Sequence, residues 1–200
     1  MGCAAPHAMH WHDLRAEPRE RLLEQPGVVS GADGCGLEVP FLDARYRVDP
    51  EAEEVVELAP VAGDVPHESF QILLIRYLLA PRGGPVLHDE VSEKELPGGA
   101  TFFRGPHAIP VADVARKFGL TPDAFRDRGL SLGATPVDHG DCGLRFLPFP
   151  EIPVTYVLWR ADSEFPASVS ILLDRSVTRW FSLDMVFLLV RAITERLVRQ

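Results

Sequence analysis

The chain has 200 residues, 46% of them hydrophobic, which is enough for one domain to bury most of its apolar surface around a single core. Its formal net charge of −9 and the absence of a lysine- or arginine-rich run argue against a nucleic-acid partner, because such binding depends on neutralising phosphates. The apolar runs are far shorter than the ~20 residues that cross a bilayer, and no signal-peptide pattern is present, so a cytoplasmic protein without membrane contact is predicted.

The first part of the chain predicts little regular structure before a β-hairpin. Residues 1–13 have no periodic apolar face, and a flexible N-terminal arm is predicted there. One domain is then expected over residues 14–200. It starts with a short polar helix at 14–25, and alternating apolar residues predict a hairpin over 37–48.

The middle of the chain combines a buried helix with a long irregular region. Residues 70–79 are apolar on nearly every face, which predicts a buried helix. Residues 82–106 are rich in glycine and proline, and only 101–103 suggest a strand. Loops of this length in compact domains are frequently functional.

The last part of the chain completes an α+β pattern. Short strands are predicted at 55–58, 135–137, 143–146, 154–159 and 168–173, and helices are predicted at 110–118, at 122–129 and after Ser182. The sum is an α+β domain in which a mainly antiparallel sheet packs against the buried helix and a C-terminal amphipathic helix.

The gap between the last two predicted strands carries acidic and aromatic residues in place of ordinary turn residues. Asp162, Glu164 and, after the second strand, Asp174 offer carboxylates that suit a hard divalent cation such as magnesium or calcium. The alternative is that they cap a turn and pair with Arg160 and Arg175.

Aromatic residues flank the same gap. Trp159 and Phe165 are candidates for stacking on a flat ligand, and the alternative is that they form the rim of the core. In the long loop, Phe102 and Phe103 are candidates for an apolar patch that contacts another protein.

Other candidate residues lie in the loops and at the N-terminus. His88, beside Asp89, is a candidate ligand or base, and Gly98 and Gly99 allow close backbone approach. The alternative for His88 and for the two glycines is that they serve only the structure of the loop. Two further groups are candidates. His139 with Asp141 and Cys142 offers imidazole, carboxylate and thiol to a nucleophilic or metal site, with a structural role as the alternative. The N-terminal His7, His10 and His12 could hold a transition metal, with adventitious binding as the alternative.

The spacing of the three cysteines and the absence of known catalytic motifs exclude several classes of protein. Cys3, Cys35 and Cys142 are odd in number, widely spaced and free of a CxxC pair, so no disulfide framework, zinc clip or iron–sulfur clip is predicted. Dinucleotide-binding, P-loop, serine-hydrolase and zinc-protease motifs are absent from the sequence.

Five motifs occur together in a fixed order. They are ILLIRYLLA at residues 72–80, ELPGG at 95–99, FG at 118–119, GD at 140–141 and the proline- and acid-rich run from 147 to 174. In this order and spacing, over roughly residues 36–198, the chain resembles the family called domain of unknown function 3786. The resemblance implies an uncharacterised protein of anaerobic bacteria and archaea. Some relatives carry an added four-cysteine iron–sulfur domain like that of corrinoid iron–sulfur proteins, which this chain lacks.

The resemblance implies a small-molecule or cofactor-binding accessory protein in anaerobic one-carbon or corrinoid metabolism. The expected ligand is a divalent cation or a corrinoid or tetrapyrrole-type molecule, and the expected partner is an iron–sulfur or corrinoid protein. Its pocket is expected between the 82–106 loop and the 160–166 turn, with ligand-binding residues Trp159, Arg160, Phe165, His88, Gly98 and Gly99. A metal-dependent enzyme using Asp162, Glu164 and Asp174 and a protein–protein module of a larger complex are the alternatives.

Overall fold

The computed structural model describes residues 6–32, 34, 36–58 and 67–199. In these ranges the chain forms two antiparallel sheets, of four and five strands, together with eight α-helices. The predicted α+β class and the C-terminal helix are confirmed, with the strands divided between two sheets.

The first sheet is the predicted hairpin with one strand added on each side. In the order β1-β2-β3-β4, its members are β1 (Val29–Ser30), β2 (Leu37–Phe41), β3 (Ala44–Asp49) and β4 (Glu54–Glu57). Alternate residues of β2 are buried, so one face of that strand packs into the core. Leu42, in the two-residue turn between β2 and β3, donates its N–H to the carbonyl of Pro148 at 3.0 Å, which fastens the hairpin to the second sheet.

The second sheet has the order β5-β9-β8-β7-β6. Its strands are β5 (Glu90–Val91), β6 (Thr135–Val137), β7 (Cys142–Phe149), β8 (Ile152–Trp159) and β9 (Ser168–Asp174). Because β5 has only two residues, it pairs with Leu173 and Asp174 alone. Among the described residues, no strand therefore pairs with the same edge of β9 over residues 168–172.

The helices pack on and around the two sheets. They are α1 (Pro6–Ala16), α2 (Arg19–Leu23), α3 (Glu68–Leu79), α4 (Gly99–Phe102), α5 (Ala112–Phe118), α6 (Pro122–Ser131), α7 (Val177–Trp180) and α8 (Leu183–Val198). No helix in the described ranges is long and apolar enough to cross a membrane.

Aromatic side chains join the two sheets around the buried helix α3. Phe149, at the end of β7, stacks on Tyr77 of α3 with 4.0 Å between the ring centroids. Phe41 of β2 meets Phe149 edge-on at 5.3 Å. Such pairs add to the stabilisation that comes from burying the rings. Both sheets therefore share one core.

Two buried polar side chains fix helices in this core. The amide of Gln25 donates to the carbonyls of Leu78 and Ala80, at 3.3 and 2.5 Å, and so satisfies the C-terminal end of α3. The hydroxyl of Tyr156 in β8 donates to the carbonyl of Val190 at 3.0 Å, which attaches α8 to the second sheet.

Two sequence-based expectations about local structure are corrected by the structure. Residues 6–16 form helix α1, in which Trp11 is fully buried, so the predicted flexible arm does not extend over residues 6–13. Residues 1–5 of that arm lie outside the described residues. The predicted strand at 101–103 is instead helix α4 and its end, because Gly98 and the tight approach of Gly99 to the Glu93 carbonyl start a helical turn.

Candidate functional site

The segment between β8 and β9, residues 160–167, is an exposed turn with many backbone hydrogen bonds. Asp162 Oδ1 accepts the N–H groups of Glu164 and Phe165 at 2.8 and 2.7 Å, and the N–H of Asp162 donates to the Phe165 carbonyl at 3.0 Å. The N–H groups of Phe165 and Glu164 hold the pKa of Asp162 below its ordinary value. Asp162 thus caps the turn, as the structural alternative to a cation site predicts.

The start of this turn is fastened by the FG and GD motifs. The N–H of Ala161 donates to the Gly119 carbonyl at 3.2 Å, and the N–H of Arg160 donates to Asp141 Oδ2 at 2.9 Å. A Cβ atom at Gly119 would lie 2.2 Å from the Cβ of Ala167, so the end of α5 approaches the turn as closely as only glycine allows. Both motifs therefore position residues 160–167.

We expect Gly119→Ala to push the turn away from α5. The added methyl group cannot fit at 2.2 Å, and overpacking of this kind costs about 1–3 kcal/mol. Amide hydrogen exchange at Ala161 should accelerate, and urea denaturation should show the loss of stability. Ser163→Ala, in the same turn and exposed, serves as the control and should leave both measurements unchanged. Unaltered exchange at Ala161 in Gly119→Ala would contradict the close contact.

The turn presents aromatic side chains to solvent. Trp159 is 51% exposed and Phe165 is 67% exposed, so neither ring is a core residue. One edge of the Trp159 indole lies near Gly140, where a Cβ atom would be 3.4 Å from Cε2. Leu120, directly after Gly119, is 84% exposed. We call Trp159, Phe165 and the turn between them the aromatic turn.

An open, mainly apolar groove of about 560 Å³ adjoins the aromatic turn. One wall comes from the approach to α5 and its first turns, and the other comes from the end of the aromatic turn and the start of β9. The apolar lining residues are Ile109, Val111, Ala112, Ala115, Pro166, Ala167 and Val169. The sequence did not predict this groove, because its walls are about 50 residues apart in the chain.

The surroundings of the aromatic turn are acidic. Asp162 and Glu164 are exposed, as is Asp141, which receives the Arg160 N–H. Arg160 is the single basic side chain within residues 159–167, and Arg116, which lines the adjoining groove, is paired with Asp113. A partner with basic groups is favoured here, because opposite charges steer and orient association.

Asp174 does not join these carboxylates. It lies at the far end of β9, six residues beyond Ser168, which is roughly 20 Å from the turn at ~3.3 Å per residue. It is 2% exposed. Its Oδ1 accepts the N–H groups of Leu87 at 3.1 Å and of Ser176 at 2.9 Å, as well as the Ser176 hydroxyl, and its Oδ2 accepts the N–H of Asp89 at 3.1 Å.

Asp174 is therefore a structural anion. Burial alone would raise its pKa, but the hydrogen bonds from Ser176, Leu87 and Asp89 outweigh burial and hold the pKa below its ordinary value. The predicted acidic cluster of Asp162, Glu164 and Asp174 is corrected, because β9 separates its members. Within the described ranges, no three His, Cys, Asp or Glu side chains are grouped as ligands of a metal ion.

The loop candidates also have structural roles, away from the aromatic turn. His88 is exposed and has a positive φ of 58°, which aims the flanking N–H groups of Leu87 and Asp89 at Asp174. Gly98 has φ 79°, and a Cβ atom at Gly99 would lie 2.0 Å from the Glu93 carbonyl oxygen. Through Leu87 and Asp89 the 82–106 loop is attached to Asp174, at the end of β9 away from the 160–166 turn, so the structure does not bring His88 together with Trp159 and Phe165.

A polar network that the sequence did not predict lies on the face of the second sheet opposite to helix α8. Glu90 Oε1 accepts Thr155 Oγ1–H at 2.6 Å and Arg145 Nη2–H at 3.0 Å, and Oε2 is 3.3 Å from His139 Nε2. Burial raises the pKa of Glu90, but these hydrogen bonds prevail and keep the pKa low. The network holds β5 against the sheet. In the sequence, the polar residue Thr155 within the apolar strand β8 was the one signal that could have indicated it.

The remaining candidates do not form a site. His139 bonds to Glu90, Asp141 caps the end of β8, and Cys142 is a buried free thiol whose pKa is raised by burial. Phe103 is buried, and the partly buried Phe102 stacks on the exposed His107 with 4.7 Å between the ring centroids, so at most Phe102 is open to a partner protein.

The N-terminal histidines belong to helix α1. His12 is exposed, with its Nδ1 3.6 Å from Asp13, while the side chain of His7 lies outside the described part of the chain. Cys3 and Cys35 also lie outside the described residues.

Comparison with known proteins gives one match. A family model described as "Domain of unknown function (DUF3786)" matches residues 21–196, which include the aromatic turn, the groove and the nine strands of the described residues. No curated protein and no solved structure matches the chain.

Proposed function

The chain belongs to the DUF3786 family, and from this premise we propose that the protein is a binding module that holds an apolar segment of a partner protein against the aromatic turn and the adjoining groove. One observation carries the proposal: the Phe165 side chain is exposed, yet its backbone is fixed. The Phe165 N–H donates to the Asp162 carboxylate, and the Phe165 carbonyl accepts the Asp162 N–H. Aromatic residues are enriched in protein interfaces, and a prearranged surface loses less entropy when it binds.

Charge favours a basic partner over a second copy of the chain. Asp141, Asp162 and Glu164 surround the aromatic turn, and the whole chain carries a net charge of −9. Two such surfaces would repel each other, whereas lysine or arginine side chains beside an apolar segment would complement them. We therefore expect a heterologous partner.

Replacing the exposed rings tests this proposal. Trp159→Ser and Phe165→Ser should each weaken partner binding at least tenfold, about 1.4 kcal/mol, because aromatic side chains dominate the energetics of interfaces. Leu147→Ser is the matched control, since Leu147 is 54% exposed on β7, roughly 16 Å from the aromatic turn. The proteins retained from an extract of the source cells by each variant, quantified by mass spectrometry, give the readout, and urea denaturation checks that each variant is folded.

The expected pattern is specific to the aromatic turn. The wild type and Leu147→Ser should retain the same partner, and the two aromatic variants should lose it. Retention of the same proteins by all four chains would contradict the proposal, as would a wild type that retains nothing.

A flat small molecule is the second candidate occupant, and the half-exposed indole of Trp159 favours it. The family resemblance links such a ligand to anaerobic one-carbon or corrinoid metabolism. The absorption spectrum and mass of material that copurifies when the protein is made without oxygen would test this candidate. A bound chromophore lost in Trp159→Ser but retained in Leu147→Ser would favour it over a protein partner.

A further inference from the structure

We propose that the partner segment binds as an added β-strand on the open edge of β9. This inference rests on the proposed function, because the edge and the aromatic turn form one continuous surface through Pro166, Ala167 and Ser168. Addition of a strand to a free sheet edge is a general mode of peptide recognition, in which main-chain hydrogen bonds give affinity and pockets for alternate side chains give specificity.

The register of the sheet identifies the free backbone groups. The Leu158 carbonyl accepts the Asp141 N–H, so Leu158 turns its backbone groups toward β7. Opposite residues of antiparallel strands alternate between hydrogen-bonded and non-hydrogen-bonded pairs. Val169, which lies opposite Leu158, therefore turns its N–H and C=O away from β8. The same alternation applies to Ile171 and Leu173.

The two ends of this edge differ in their partners. Leu173 lies opposite Val91 of β5, and the Arg175 N–H donates to the Asp89 carbonyl at 2.9 Å on the same side. Among the described residues, the outward N–H and C=O groups of Val169 and Ile171 have no such partner. Four backbone groups are thus available to an added strand.

The residues of this edge carry none of the side-chain protection against strand addition, although helix α5 faces the start of β9 across the groove. Natural proteins block free edges with lysine and other charged residues, with proline, or with bulges. Residues 168–172 are Ser-Val-Ser-Ile-Leu, without a charge or a proline, and their pairing with β8 is regular. A regular edge without charges or proline, whose first residues Ser168 and Val169 line an apolar groove, is what a strand-binding site requires.

The groove and the local charges define the chemistry of the occupant. Side chains of a strand alternate between faces, so every second side chain of an added strand would lie on the same face as Val169, which lines the groove. The other side chains would lie on the face that carries the exposed Ser168 and Ser170, and the acidic 160–167 segment directly precedes that end of the strand. The occupant is therefore an extended segment with apolar residues at alternate positions and basic residues between them.

A designed seven-residue peptide of alternating valine and lysine, acetylated and amidated, tests this inference with the full chain. Val169→Pro removes the outward N–H and is sterically allowed, since proline is tolerated where a strand N–H faces away from the sheet. Binding measured by calorimetry should weaken at least tenfold in Val169→Pro. Val169→Ala, which keeps the N–H but shortens the side chain that lines the groove, should bind several-fold more tightly than Val169→Pro.

A modified peptide makes the test independent of protein folding. N-methylation of alternate residues removes main-chain donors while keeping the side chains, and in one of the two registers it should abolish binding by the wild type. Full binding of both methylated peptides, or no binding of the unmodified peptide, would overturn the inference. Equal binding of a valine–glutamate peptide would overturn its charge requirement.

The variants separate this inference from the proposed function. If Phe165→Ser abolishes peptide binding while Val169→Pro and both methylated peptides bind normally, the proposed function stands and strand addition is overturned. If Val169→Pro and one methylated peptide lose binding while Trp159→Ser and Phe165→Ser bind normally, strand addition stands and the aromatic turn is not the contact surface.

Discussion

Asp174→Asn is expected to lower the free energy of unfolding by about 3 kcal/mol, since hydrogen bonds to a charged group contribute roughly 1.5–3 kcal/mol each. The carboxylate accepts the backbone N–H groups of Leu87, Asp89 and Ser176 in a buried position. An amide nitrogen in place of one oxygen turns a donor toward at least one of these N–H groups. Urea denaturation at neutral pH measures the change.

Asp162→Asn is the matched control for this prediction. Asp162 also accepts two backbone N–H groups, but through one oxygen in an exposed turn, so the amide variant keeps its acceptor. We expect its effect on stability to stay within about 0.5 kcal/mol. Comparable losses in the two variants would contradict the structural importance of burying Asp174.

The stability difference between the wild type and Asp174→Asn should depend on pH. The pKa of Asp174 is lower in the folded than in the unfolded chain, so its contribution is fully present above the unfolded pKa of about 3.9. That contribution is lost as the pH falls through the lower folded pKa. The two denaturation curves should therefore converge in acid and separate above roughly pH 4.

Trp11→Ala is expected to cost about 3–5 kcal/mol, the usual range for truncating a large buried aromatic residue. Trp11 is fully buried in α1, and Leu14, one turn later, is also buried. Removal of residues 1–13 should destabilise the domain for the same reason, although the sequence predicted a flexible arm there. Thermal and urea denaturation measure both changes.

Met9→Ala provides the control within the same helix. Met9 is 55% exposed, so its truncation should change stability by no more than about 0.5 kcal/mol. If Trp11→Ala unfolds at the same urea concentration as Met9→Ala, helix α1 does not contribute to the core.

The sequence predicted those helices and strands that show a regular spacing of apolar residues within the element itself. The hairpin of β2 and β3, the buried helix α3 and the amphipathic helix α8 follow from apolar periodicity of two or of 3.6 residues. Helix α1 was missed because its hydrophobic residues do not form a broad periodic stripe: Trp11 and Leu14 alone are enough to bury it.

The site was predicted only in part, because its geometry depends on distant contacts. The aromatic turn was identified from Trp159, Asp162 and Phe165, which lie close together in the chain. The role of Asp174 could not be seen, since its partner Leu87 is 87 residues away, and the open edge of β9 depends on the length of β5. Composition cannot distinguish a carboxylate that binds a cation from one that binds backbone N–H groups.

The most direct test of the account is a titration of the ¹⁵N-labelled full chain with the valine–lysine peptide, followed by amide chemical shifts. The account predicts that the largest shifts occur at Val169, Ile171 and Phe165 and at residues of α5 that line the groove, with small shifts at the distant Leu147. Shifts centred on the 82–106 loop or on Leu147, or no shifts at all, would contradict a binding surface formed by the aromatic turn and the edge of β9.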